Sequence, residues 1–215
     1  MDKLFKEESG FMRFLNKLAQ IMGLNLLILV CFLPVLTGGA AVTAAYDVLW
    51  RGKELENGTW KTFWRSFRGN FKQATVLWLV FLVTGAMMGY CLWFMLQNSQ
   101  AYSPIMLLLL LLAAVLWAMT AAWVFPLQSR FQNSIFGTVR TGILFAIGYL
   151  PKSLMMALLN LFPILLYVFN PRLFFFVGWL FLLLWFGFTA FMNTHILRPA
   201  FETTIRQLQQ EEASQ

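Results

Sequence analysis

Side chains able to carry acid–base or metal chemistry are few and scattered in this chain of 215 residues: one histidine, nine acids and two cysteines. His195 stands alone at the end of an apolar run, where a proton relay or a ligand would need companions that the sequence does not place beside it. Cys31 and Cys91 lie in separate apolar stretches with no ligand-type residue at metal spacing, so they read as packed, reduced thiols. Asp47 is the acid nearest a membrane segment, and a capping or interfacial role explains it better than proton coupling. Gly38-Gly39 is too short for a phosphate-cradling loop, and no Gly-x-x-x-x-Gly-Lys-Ser/Thr occurs, so direct nucleotide binding is not expected. A membrane enzyme acting on lipid or glycan would need an acid–base pair in reach, and none is evident. The expectation is a non-enzyme without cofactor or metal.

The strongest local pattern is basic and aromatic. After the Asn57-Gly58 turn, Trp60, Phe63, Trp64, Phe67 and Phe71 fall on one side of a helix and Lys61, Arg65, Arg68 and Lys72 on the other. This composition predicts an interfacial helix over 59–72, with Trp60, Lys61, Arg65, Arg68 and Lys72 at the membrane surface. The formal net charge of +7 belongs to such flanks rather than to a nucleic-acid site, since no stacking module accompanies it.

What positions these residues is a bilayer. The 57 residues from Gln73 to Ser129 contain no charged side chain, and 60% of the chain is hydrophobic against 12% charged. Ala74–Leu96 and Pro104–Leu127 are each long enough to cross, because about 20 apolar residues span the hydrocarbon core. Backbone polar groups in lipid must be satisfied within the segment, which makes these runs helices. The polar turn Gln97–Ser103 joins them, with Trp78 and Trp93 read as rings at the two interfaces of the first. Ser153–Asn170 and Leu173–Asn193 form a second pair around Asn170-Pro171-Arg172. Pro163 is expected to bend the former, with Asn160 satisfying freed backbone groups.

The predicted fold is therefore all-α: a polytopic helical membrane protein with four clear spans, a Pro/Gly-broken N-terminal membrane segment and interfacial helices on the cytoplasmic face. One membrane domain covers 1–215: an interfacial helix at 1–17, the broken segment at 18–50, the basic aromatic helix at 59–72, hairpins at 74–127 and 153–193, an amphipathic helix at 131–150 and a cytoplasmic tail at 194–215. In the first of these, Phe11, Phe14, Leu15, Leu18 and Ile21 form a stripe opposite Arg13, Lys17 and Gln20. The opening 17 residues are too long and too mixed in charge for a secretory signal. In 131–150, Phe131, Ile135, Val139, Ile143 and Ile147 fall on one side, with Asn133, Arg140 and Thr141 towards the other. Arg140 and three glycines favour an interfacial helix there over a further full span.

Leu18–Tyr46 would rise roughly 43 Å as one helix, too much for a core of about 30 Å without heavy tilt. Pro34, Gly38 and Gly39 mark a break that divides it into Leu18–Leu33 and Ala40–Trp50, either a re-entrant hairpin or two short crossings. Charge counting weighs on this. A single crossing leaves at best eleven Lys and Arg inside and five outside, whereas a returning segment leaves fifteen of sixteen inside and only Arg172 outside. The positive-inside rule favours the return, with both termini cytoplasmic.

Asn25-Leu26-Leu27, Phe32-Leu33-Pro34-Val35-Leu36-Thr37-Gly38, Thr43-Ala44-Ala45-Tyr46 and Phe63-x-x-Ser66-Phe67-x-x-Asn70-Phe71-Lys72-Gln73-Ala74-Thr75 together resemble the YesL-like family of small bacterial membrane proteins. The resemblance is specific over 24–76, looser to about residue 200, and departs at Asp47, where the family more often has an aromatic or apolar residue. It implies a Gram-positive plasma membrane and the company of carbohydrate uptake systems, particularly ABC importers of oligosaccharides, and it supplies no catalytic residues. Permeases of such importers meet their ATPase through a Glu-Ala-Ala-x3-Gly-x9-Ile-x-Leu-Pro loop. Here Gly137 and Ile147 keep that spacing and Leu150-Pro151 follow one residue late, while Phe131-Gln132-Asn133 stands where Glu-Ala-Ala would be. The plainer reading is an interfacial helix ended where Pro151 opens the next span. The leading expectation is a non-catalytic accessory protein of a carbohydrate ABC importer, in contact with the lipid bilayer and permease subunits. The alternative is a self-contained small-solute transporter or channel with its site at Pro34–Gly39.

Overall fold

The computed structural model describes residues 10–52, 58–98, 100–131 and 133–213, with the backbone alone for 10–14, 204–209 and 211–213. Lys3, Lys6, Asn57, Ser99, Gln132, the start of the expected 1–17 helix and the last two residues of the tail lie outside the described residues, as do the side chains of Phe11, Arg13 and Phe14. The chain is a bundle of α1 (Gly10–Phe32), α2 (Gly38–Arg51), α3 (Gly58–Gln97), α4 (Pro104–Arg130), α5 (Ile135–Gly148), α6 (Leu150–Phe169), α7 (Pro171–Leu180) and α8 (Phe186–Ala213), with a π-helical turn, Phe181–Trp185, between the last two. It is an all-α polytopic membrane protein, and no strand occurs among the described residues. Five helical stretches are long and apolar enough to cross a bilayer: Leu15–Phe32, Gly58–Gln97, Pro104–Arg130, Leu150–Phe169 and Pro171–Thr203.

Several boundaries differ from those expected. The basic aromatic segment and the span after it are one helix of 40 residues, α3, because no proline or π-turn interrupts the ladder between Gly58 and Gln97. Gly10–Phe32 is likewise continuous across the boundary expected at residue 17. The break falls at 33–37, while Gly38 and Gly39 are the first two residues of α2. Pro34 lacks the donor to continue α1 and disfavours helical geometry at Leu33, and Val35 follows at φ +56°, a conformation costing a β-branched residue about 1–2 kcal/mol. α6 runs through Pro163 and α8 through Pro199, so the expected tail begins inside α8.

The role of α2 follows from its small residues. Gly38, Gly39, Ala40, Ala41, Ala44 and Ala45 are all buried, and the helix packs along α3 with α1, α4 and α8 around it. A Cβ on Gly39 would collide with the Ala74 carbonyl and Trp78, so the missing side chain sets how closely α2 and α3 approach. α2 ends where α3 begins, yet its start lies against residues 74–78, so the two are antiparallel. The break consequently sits beside Trp78, about 9 Å along α3 from Lys72 and about 28 Å short of Gln97. The turn between α1 and α2 lies well inside the span of α3.

Burial is gathered at the end of the bundle that carries Lys72, Arg130 and Lys152. Gln128 is buried there; it donates to Gln73 Oε1 at 2.7 Å and accepts from Thr138 Oγ1 at 3.2 Å, joining α3, α4 and α5. Trp123, fully buried, donates to Ser153 Oγ at 2.7 Å and packs against Phe145, Tyr149 and Phe201. By contrast, no described residue of 82–117 or 158–186 is buried. The far halves of the hairpins α3–α4 and α6–α7 therefore do not pack against each other.

The apolar stripe expected over 131–150 is divided: Phe131, Ile135 and Val139 pack against the core, while Ile143 and Ile147 do not. Thr138, Gly142 and Ala146 are buried, while Phe136, Ile143, Leu144 and Ile147 are exposed together with Arg140. A Cβ on Gly142 would press on Val124, so small residues let α5 approach α4 closely. Ile135, Val139 and Phe145 pack beside them, and Phe136, Ile143, Leu144 and Ile147 turn outwards, as lipid permits and water does not. At 14 residues α5 rises about 21 Å, too short to span.

Candidate functional site

The gap between the hairpins ends in a cavity of about 340 Å³. Phe32, Trp78, Trp117, Phe125, Trp185 and Phe186 form its apolar walls, and Tyr46, Asn160 and Thr189 are its polar lining. Each wall is fixed by a separate contact. Trp117 lies over Gly85, where a Cβ would strike its ring, and donates to Thr84 Oγ1 at 2.9 Å. Phe32 packs edge-on to Trp78 and tilts against Phe186, tying the end of α1 to both hairpins. At the floor, Asn193 donates to the Tyr46 hydroxyl and to Asn160 Oδ1, each at 3.0 Å. Asn193 Oδ1 is buried with no hydrogen-bond partner among the described residues. Asn160, expected to relieve the backbone around Pro163, is instead spent on this interhelical bond.

The helix break closes on itself. Trp78 Nε1 donates to the Val35 carbonyl at 2.8 Å, Thr37 Oγ1 donates to the Cys31 carbonyl, and Val35 N–H donates to the Phe32 carbonyl at 2.8 Å. Trp78 is thus committed to the break rather than to an interface. The Pro34, Val35 and Thr37 carbonyls each accept a hydrogen bond, and Leu33, Val35 and Leu36 are exposed and apolar, so the surroundings of the break are greasy.

On the surface of α3, Lys61, Arg65, Arg68 and Lys72 are exposed along one stripe, next to Trp60, Trp64, Phe67 and Phe71, whose rings contact in succession. Thr62, Phe63 and Ser66 on the opposite side are buried, so Phe63 belongs to the core and not to the surface face. Trp60, Lys61, Trp64, Arg65 and Arg68 border an open recess of about 880 Å³. The coupling-loop positions are spread over two helices. Gly137 lies in the first turn of α5, where its N–H donates to Ser134 Oγ at 3.1 Å; Ile147 is exposed in the last turn; Leu150-Pro151 begin α6.

His195 Nδ1 lies 3.0 Å from the Phe191 carbonyl and its ring sits tilted against Phe191, while Asp47 forms an ion pair with Arg51 at 3.0 Å. Both are engaged within their own helices. Cys31 and Cys91 are free thiols, buried and exposed respectively. No group of three metal-ligating side chains occurs among the described residues.

The cavity and the Gln73–Gln128 contact were missed by residue-by-residue reading. The latter left a signal, since the two glutamines stand equal distances from the 98–103 turn and an antiparallel hairpin brings them level.

Over residues 21–92, about a third of the chain, the sequence matches a family described as a protein of unknown function, DUF624, which includes YesL-like membrane proteins. The match covers the second half of α1, the break, all of α2 and most of α3. No curated protein and no solved structure matches the chain.

Proposed function

We propose that this chain is a non-catalytic integral membrane accessory protein of the bacterial plasma membrane, with both termini cytoplasmic, that associates laterally with the permease subunits of a carbohydrate ABC importer. The observation that carries this reading is the concentration of internal packing at the basic end. The far halves of both hairpins and the Phe136, Ile143, Leu144 and Ile147 face of α5 offer continuous apolar surface to neighbouring helices. Gly89 adds an open groove, because nothing lies within 4 Å of the position its Cβ would occupy, whereas Gly85 is already used by Trp117. The choice of a sugar importer as partner rests on the resemblance to the YesL-like family and on the Gly137, Ile147, Leu150 and Pro151 spacing. Transport through Pro34–Gly39 draws less support, given the bonds already made to the Pro34, Val35 and Thr37 carbonyls and the apolar surroundings.

Purification from native membranes in mild detergent tests the proposal. A permease or ATPase subunit is expected to accompany the chain, and Phe136→Ser with Ile147→Ser to weaken that association. Recovery of the chain with no importer subunit, under sugar-induced expression, overturns it.

A further inference from the structure

We propose that the cavity between the hairpins binds one uncharged membrane lipid, with an oxygen of its head accepting a hydrogen bond from Asn160 and its chain leading out between the two hairpins. The proposal does not depend on any permease partner.

Four observations converge on this occupant. The cavity's lining contains no charged residue, so nothing there would compensate a phosphate. Its volume, about 340 Å³, lies within the range of small-molecule sites, about 300–1,000 Å³, and its walls are largely apolar, with several aromatic rings. Asn160 is the eleventh of the 20 residues of α6, about 15 Å from either end, a depth that a neutral head reaches and an ionic one does not. Ile164, one turn further along, both lines the cavity and is 60% exposed, so the site opens sideways into the surrounding lipid rather than to water.

The hydrogen-bond inventory at the floor then selects the head. Asn160 spends its side-chain oxygen on Asn193, and its amide N–H groups, exposed at the cavity, donate to no described residue. The Tyr46 hydroxyl accepts from Asn193 and behind it holds the Asn193 amide in place. At the cavity surface the unused capacity is the Asn160 amide, a donor in a medium without water to accept; the unpartnered Asn193 Oδ1 is buried behind the lining. A carbonyl or hydroxyl oxygen on a neutral lipid such as a diacylglycerol supplies the acceptor, and the chain covers the aromatic walls.

Photolabelling in nanodiscs tests the site. The protein is reconstituted with dioleoylglycerol bearing a diazirine in one chain, or with phosphatidylglycerol bearing the same chain, and labelled peptides are mapped. The neutral probe is expected to label 117–126 and 157–164 at least about fivefold more than the anionic probe. Asn160→Ala is expected to reduce that labelling about fivefold, the effect of one hydrogen bond. Ala121→Phe, which fills the cavity, is expected to abolish it. Should Ala121→Phe fail to fold, Asn160→Ala decides, since it changes an exposed helical position to the residue most favourable to a helix. Equal labelling by both probes, labelling confined to the far faces of the hairpins, or labelling unchanged in Asn160→Ala overturns the proposal.

Discussion

Asn25 and Gly187 are joined across the bundle: the side-chain oxygen of Asn25 accepts from the Gly187 N–H at 3.0 Å while its amide donates to the Leu182 carbonyl at 2.6 Å. Leu182 and Gly187 are five residues apart, the spacing of a π-turn bond, and they flank the end of the π-helical turn at 181–185. The amide of α1 thus takes the place of a backbone pair, so the widened turn leaves neither group orphaned in the membrane. Gly187 is required for the same reason, since a Cβ there would collide with the Ile21 carbonyl and crowd Asn25.

Asn25→Leu keeps the volume and removes both bonds. It is expected to cost about 2 kcal/mol through two unsatisfied backbone groups, read as a shifted midpoint in SDS-induced unfolding. Gly187→Ala is expected to cost at least as much by pushing α1 away, and an unshifted midpoint in either variant refutes the arrangement.

Two glycines on the same long helix pair offer a sharper contrast. Gly39→Ala forces α2 off α3 at Ala74 and Trp78 and is expected to lower the thermal midpoint by an overpacking cost of about 1–3 kcal/mol. Gly89→Ala meets open space and is expected to be neutral or stabilising by up to about 1 kcal/mol through helix propensity. Fluorescence-detected size-exclusion chromatography after heating ranks the two, and the opposite order would refute the packing of α2.

The buried Gln128 predicts coupling between α4 and α5. Gln128→Met and Thr138→Val are each expected to destabilise, and the double variant to recover about 0.6 kcal/mol of the summed loss, the mean for membrane hydrogen bonds. Strict additivity in a double-mutant cycle would mean that the 3.2 Å contact contributes nothing.

Cysteine labelling in a cysteine-free background maps the entry segment. Gln100→Cys and Pro171→Cys are expected to react with an impermeant reagent from one side and Lys61→Cys from the other. Leu36→Cys is expected to resist from both, since the break lies beside Trp78 inside the span of α3. Reaction of Leu36→Cys together with Gln100→Cys would make α1 and α2 two full crossings.

Where the spans run was legible in the sequence because lipid imposes a rule on every residue: twenty apolar positions, no charge, internal backbone bonds. The Pro34 break was legible for a similar reason, since a missing donor acts locally. Faces were harder. In α5 Phe136, Ile143, Leu144 and Ile147 point outwards while Thr138, Gly142 and Ala146 point inwards beside Ile135, Val139 and Phe145, a division of apolar residues between core and lipid that hydropathy alone does not encode. Asn25, Asn160 and Asn193 stand out as polar residues in apolar runs, but their partners, at separations such as 162 residues, depend on tertiary placement that no local pattern encodes. The cavity was invisible for the same reason, being assembled from six helices that contribute a few side chains each.

With the contacts between its two hairpins gathered at one end, the molecule resembles a pair of tongs joined at the base. The spread of the tips near Asn98 and Asn170 is then governed by the thickness and lateral pressure of the surrounding bilayer rather than by the chain's own adhesion, which makes the lipid composition of the host membrane a determinant of its shape.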